Sequence, residues 1–162
     1  MNLDEIAPII EAKFKKALEE RRYPFGFGKY KGLSNKVASG SLRNSITVTA
    51  NNTGDGIDTL SIAMNNYGQW VQSGRLPGKK GVPIDAIEKW IKQRGLKGRD
   101  KKGRFITNRS FAFGIQKNIK KFGIKPSNWY DVAIESVLED TEIINLLEEQ
   151  SMEDLINAIE GI

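Results

Sequence analysis

Two compact acidic sets in this chain have the spacing to hold a hard cation: Asp55 with Asp58, and Asp85 with Glu88 beside Lys89. Magnesium takes oxygen ligands of this kind, and a nuclease would use such a site to activate water. Neither set offers a third converging carboxylate. Asp55 and Asp58 stand in turn material, where aspartate serves the backbone. Asp85 and Glu88 stand early in a helical stretch, where acids meet the positive end of the macrodipole. The segment Gly74-Arg75-Leu76-Pro77-Gly78-Lys79-Lys80 has the outline of a phosphate loop. It has one residue too few between its glycines, and Lys80 occupies the place of the metal-binding Ser or Thr. The chain contains no histidine and no cysteine. Ser-His-Asp and Cys-His arrangements, zinc sites with nitrogen or sulfur ligands, and disulfides are therefore excluded. The expectation is a protein that is not an enzyme and carries no cofactor or metal.

Charge is the stronger signal. Residues 1–130 hold all 25 Lys and Arg against 10 Asp and Glu, while residues 131–162 hold 10 acidic residues and no basic one. A basic body with an acidic end can bind a second copy head to tail, fold the end back on itself, or simply display a solvated acidic helix. Within the body, residues 75–125 carry 16 basic and 3 acidic residues. Lys97, Arg99, Lys101, Lys102 and Arg104 crowd one short glycine-containing stretch, with Lys117, Lys120, Lys121 and Lys125 downstream. Such a stripe neutralises phosphates in a salt-sensitive way without reading sequence. It equally suits an acidic protein surface, or a solvated loop and helix face.

The elements that must position these residues follow from periodicity. Ile6, Ile10, Phe14, Ala17 and Leu18 recur at helical spacing. Pro8 either opens that helix or disturbs one that begins near Asn2. Residues 23–40 mix Gly, Lys and aromatics without a period and read as a long loop or arm. Ser45–Ala50 and Asp58–Met64 alternate polar and apolar residues across turn-forming Asn51–Gly56, which predicts a hairpin with one buried face. Pro83–Arg94 and Asn108–Phe122 read as helices, the first with Ile84, Ile87 and Ile91 on one face and the second with Phe111, Ile115, Ile119 and Phe122. Residues 96–106 read as a mobile basic loop. Ser127 is placed as the N-cap of a helix through Trp129 and Val137. Core packing accounts for Trp70, Trp90 and Trp129 better than base stacking does. The last segment, 141–159, is acidic and amphipathic, with Ile144, Leu147, Leu155 and Ile159 on its apolar face.

The chain has 162 residues and 39% apolar content, ordinary for one folded domain with a real core. It has no run of roughly 18 apolar residues, and its acidic start is unlike a secretory signal. The expected fold is α+β, a small antiparallel β-sheet covered by several helices, with long loops. The expected domain spans 1–140, followed by an acidic helix or tail at 141–162.

Three short motifs resemble the neck and tail-completion proteins of tailed phages: Leu42-Arg43-Asn44-Ser45-Ile46 entering a strand, Tyr67-Gly68-Gln69-Trp70-Val71-Gln72-Ser73-Gly74, and Pro126-Ser127-Asn128-Trp129 before a late helix. The resemblance covers roughly residues 1–140. The 83–125 region is larger than in the shortest members, a version associated with phages of Bacteroidetes-type hosts, crAss-like ones included. The acidic segment 141–162 lies outside the pattern. The resemblance implies a structural virion protein, assembled in the host cytoplasm into a ring of roughly six- or twelve-fold symmetry. Such a ring joins portal to tail around the DNA channel, without a membrane partner. Its partners would be further copies of this chain, the portal or adjacent neck and tail proteins, and packaged DNA. Lys97, Arg99, Lys101, Lys102 and Arg104 are then the residues facing DNA or a partner, and Tyr67, Trp70, Arg75, Lys79 and Lys80 the ring-contact candidates. A nonspecific DNA-binding protein using residues 97–125 is the alternative.

Overall fold

A computed structural model describes residues 3–26, 32–52 and 58–149. The fold is α+β. In chain order it comprises α1 (Leu3–Glu19), β1 (Tyr23–Phe25), β2 (Gly32–Ser34), α2 (Ser41–Ser45), β3 (Thr47–Asn52), β4 (Asp58–Ala63), α3 (Gly68–Ser73), α4 (Ile84–Gln93), α5 (Asn108–Phe122) and α6 (Trp129–Leu138). A further helix, α7, covers residues 141–149.

α1 begins at Leu3 and runs through Pro8, which settles the choice left open by the sequence. Its spacing puts Leu3, Ile6, Ala7, Ile10, Phe14, Ala17 and Leu18 on the buried side. That face lies on the β3–β4 hairpin, an antiparallel pair in the register Val48↔Ile62 and Ala50↔Leu60. Alternation sends Val48, Ala50, Leu60 and Ile62 toward the core and Thr47, Thr49 and Ser61 outward, as a half-buried sheet requires. Glu11 ties helix to sheet. Its carboxylate accepts from the Val48 amide at 3.1 Å and from Lys15 Nζ at 2.5 Å. Both bonds favour the charged form, that to Lys15 most, and hold its carboxyl below the ordinary value.

α6 closes the other side of α1. Trp129 is fully buried. It meets Phe14 edge-on at 6.2 Å, and Tyr130 meets Phe14 at 5.1 Å. Burying aromatic rings of this size contributes roughly 1.5–3 kcal/mol each, with edge-to-face geometry adding a little more. Trp129 Nε1 donates to the Gly68 carbonyl at 3.3 Å. Tyr23, buried beneath α1, donates its hydroxyl to the Ala17 carbonyl. Burial, reinforced by Glu20, pushes its phenol up to about 12.

Several local expectations give way. Part of the presumed loop 23–40 is an antiparallel ribbon, with Tyr23↔Ser34 and Phe25↔Gly32 paired; its tip, 27–31, lies outside the described residues. The strand expected from Ser45 begins at Thr47, and residues 42–45 enter it as part of the short helix α2. Ser127 does not cap α6. Its hydroxyl turns inward to the Val71 carbonyl at 2.6 Å, and Asn128, at φ 53°, occupies the N-cap. The left-handed turn at Asn128 is a conformation asparagine tolerates. In α7, Ile143 enters the core while Ile144 stays on the surface. Lys13 forms an ion pair with Asp140 at the start of α7, so the helix over 141–149 is pinned to the body. Residues 150–162, with Leu155 and Ile159, lie outside the described residues. No helix among the described residues is long and apolar enough to cross a membrane.

Candidate interaction surface

Residues 75–124 leave the body and return to it at a single crossing. The Arg75 amide donates to the Ile124 carbonyl at 2.8 Å, and the Ile124 amide donates to the Arg75 carbonyl at 2.7 Å. Glycines flank both sides. Gly74 (φ 69°, ψ −149°) and Gly123 (φ 73°, ψ −163°) lie in backbone territory that only glycine enters freely. A Cβ on Gly74 would also run into the Ile124 carbonyl, and one on Gly123 into the Arg75 carbonyl.

Beyond the crossing lies a lobe with its own core. The isoleucine face of α4 meets α5, burying Ile87, Ile91 and Ala112, with Ile84, Phe111, Ile115 and Ile119 around them. Thr107 caps α5, its Oγ1 accepting from the Ser110 amide at 3.2 Å. The lobe is tied back to the body by Arg94, at the end of α4. Its guanidinium donates to Asn35 Oδ1, Ser34 Oγ and the Val37 carbonyl, and at 3.1 Å to the Asn35 carbonyl. No carboxylate pairs with it among the described residues. Burial, then repulsion from Arg21, pulls its pKa down. Lys36 is lowered by burial and by Arg94.

The basic stretch expected to be a mobile loop is a braced turn. The Asp100 amide donates to the Arg104 carbonyl at 2.8 Å, and Gly103 returns a bond to the Asp100 carbonyl at 3.0 Å. Asp100 Oδ1 accepts from the Lys102 and Arg104 amides, and Oδ2 accepts from Arg104 Nε at 2.8 Å. These bonds, the Arg104 amide first, hold the Asp100 carboxyl below the ordinary value. Asp100 thus braces the turn through Lys102 and Arg104, and Arg99 donates to the Gly103 carbonyl at 2.7 Å. Arg99 lies over the Phe105 ring at 3.9 Å, with Lys97 Nζ 5.8 Å from the same ring. Each such pair contributes about 0.5–1 kcal/mol at an exposed site.

α5 repeats the pairing of cation and ring on its outer face. Arg109, Phe113, Lys117 and Lys120 follow at spacings of three and four, so they form one stripe. The Arg109 guanidinium is 5.9 Å from the Phe113 ring and 3.5 Å from Asp85 and Glu88. That pairing gives the acidic set on α4 a structural use. Asp55, from the other set, lies outside the described residues. No group of three metal-capable side chains occurs among the described residues. A groove between α1 and α6, touching Lys13, Lys16 and Val132, holds about 70 Å³, well below the roughly 300 Å³ of small-molecule pockets.

The structure does not bring the expected site residues into one place. Lys97, Arg99, Lys101, Lys102 and Arg104 share the braced turn after α4. Lys79 and Lys80 lie on the turn before α4, where Arg75 donates to the Lys80 carbonyl. A ten-residue helix separates the two turns, roughly 15 Å at 1.5 Å per residue. Trp70 belongs to α3 on the body, and Tyr67 is the N-cap of that helix. Trp70 is 71% exposed, against the expectation that it packs in a core, and Trp90 is 39% exposed. Sequence reasoning missed Phe113 and Phe105 as surface residues, Asp100 as the brace and Arg94 as the tie. The helical phase of Phe113, a half-turn away from Ile115, was the available signal.

No protein-family model, no curated protein and no solved structure matches this chain.

Proposed function

We propose that this chain is a structural virion protein of a tailed phage, one subunit of a ring at the head–tail connector, joining portal to tail around the DNA channel. The observation that carries the reading is the lobe surface. Phe105 and Phe113, 61% and 52% exposed, stand among Arg99, Arg109 and a row of lysines on a unit with its own core. Open aromatics mixed with arginine are the composition of a contact surface awaiting its partner. The three motifs of the neck-protein resemblance also support it, because they pack together: Leu42 lies against Gly68, and Trp129 donates to the Gly68 carbonyl. In this reading the chain does no chemistry, and its partners are its own copies, the portal or neighbouring tail proteins, and the DNA they enclose.

The genetic test is direct. Removing the chain from the phage that encodes it should leave filled heads without attached tails under the electron microscope. Normal tailed, infectious particles from that deletion would contradict the reading.

A second reading has an observation of its own. Residues 75–125 hold 16 basic residues against 3 acidic ones, enough to retain nonspecific duplex DNA at low salt. Retention on DNA-cellulose that fades with salt, from a chain that forms no ring and is missing from virions, would favour it.

A further inference from the structure

Among the described residues, α5 and α6 carry stripes of opposite charge and matching form, and no ion pair joins them. On α5 the outward stripe is Arg109, Phe113, Lys117 and Lys120. On α6, Asp131, Glu135 and Leu138 share the face opposite the buried Trp129 and Ala133, and Glu139 and Glu142 extend it toward α7. Both stripes place an exposed apolar side chain among like charges, Phe113 at 52% and Leu138 at 69% exposure. Residues 131–149 carry seven acidic residues and no basic one. Asp131 is engaged by Gln72 Nε2 at 2.8 Å, and Asp140 by Lys13. Glu135, Glu139 and Glu142 hold no ion pair among the described residues, and neither do Lys117 and Lys120.

We infer that the α5 stripe docks on the α6–α7 stripe of a second copy of this chain. This rests on the connector reading and specifies its ring contact. The occupant follows from charge complementarity. Each stripe leaves uncompensated charge beside an open apolar side chain, and the other supplies the opposite sign with an apolar side chain of its own. The two patches differ, so the contact is heterologous. A copy engaged through α5 still offers its α6 to the next, and a rotation that closes makes a ring. Opposite charge sets the register and speeds encounter, while Phe113 and Leu138 supply the apolar centre. Arg109 keeps its weak links to Asp85 and Glu88, which hold the head of the stripe in place.

The absence of native cysteine gives a clean test by disulfide cross-linking of the full chain. Lys117→Cys and Glu135→Cys are made as separate variants, and both are exposed positions outside either core. Mixed under mild oxidation at low salt, they should give a cross-linked heterodimer in large excess over either homodimer. The yield should collapse near 1 M salt, where the screening length is about 3 Å. As a second arm, Lys117→Glu with Lys120→Glu should abolish self-association, and so should Glu135→Lys with Glu142→Lys. Mixing the two double variants should restore pairing. Rings visible by electron microscopy without the heterodimer would overturn this contact while leaving the connector reading in place. A chain that stays monomeric, gives no cross-link and is missing from virions would overturn both. Loss of duplex-DNA retention in Lys117→Glu/Lys120→Glu, with no cross-link, would assign the stripe to nucleic acid and overturn the contact.

Discussion

The body and the lobe solve the same packing problem at different scales. The body wraps α1 with a hairpin and α6 and fully buries Phe14, Trp129, Leu18 and Ile46. The lobe pairs two helices over three buried residues, Ile87, Ile91 and Ala112. Hydrophobic stabilisation follows apolar area removed from water, so the body should be the more stable unit. The lobe leans on its attachments, the backbone crossing at Arg75 and Ile124 and the guanidinium of Arg94. What it lacks in core it shows on its surface, where aromatics that a larger unit would bury stand beside cations. A small unit with an unsatisfied surface gains most from docking, and its partner becomes part of its stability.

Four substitutions and one titration probe this difference, from the largest effect down. Trp129→Ala should destabilise the whole chain by about 3–5 kcal/mol, read as a shifted denaturant midpoint for body and lobe probes alike. Ile91→Ala should cost about 2–4 kcal/mol, but only within 75–124. Hydrogen exchange should quicken in α4 and α5 and not in α1; equal quickening in α1 would show a single cooperative core. Gly123→Ala should cost on the order of 1–3 kcal/mol from backbone strain alone and loosen the crossing. Fast exchange at the Arg75 and Ile124 amides is its signature. Arg94→Ala should cost about 1–3 kcal/mol, since the bonds of a charged donor to four acceptors are lost. Its effect should be confined to α4 and residues 34–37.

The titration divides the molecule the same way. Glu11 and Asp140 in the body, and Asp100 in the lobe, are all held below their ordinary values. Each contributes stability that is fully present above the ordinary carboxylate pKa of about 4 and is lost as pH falls through the depressed folded value. In acid, exchange at the Lys102 and Arg104 amides should quicken as Asp100 takes up a proton. Tyr23 works at the other end. Its contribution is intact below the ordinary tyrosine value of about 10 and is lost as pH rises toward about 12. Phenolate absorbance near the ordinary value in the difference between the wild type and Tyr23→Phe would mean the Tyr23 site is open.

Long periodic segments were legible in the sequence. α1, α4, α5 and the β3–β4 hairpin each carry enough repeats of one period to reveal their buried face. The β1–β2 ribbon was not, because three-residue strands containing Pro24 and Gly32 show no alternation. Nor was the fate of the tryptophans. Trp129 is buried and Trp70 exposed for reasons of tertiary contact that neither residue's neighbours disclose. At the candidate surface the charge was plain, but its order was not. The brace depends on where one carboxylate, Asp100, reaches, and the division into two cores depends on Gly74 and Gly123 meeting across the fold. Such pairings are long-range and leave no local pattern.

The central claim is that this chain is a ring subunit of a phage neck. The most direct measurement is its copy number in purified virions, by quantitative mass spectrometry against the portal protein. A whole-number ratio to the portal is the predicted result. Absence from the particle, or a variable substoichiometric amount, would contradict it.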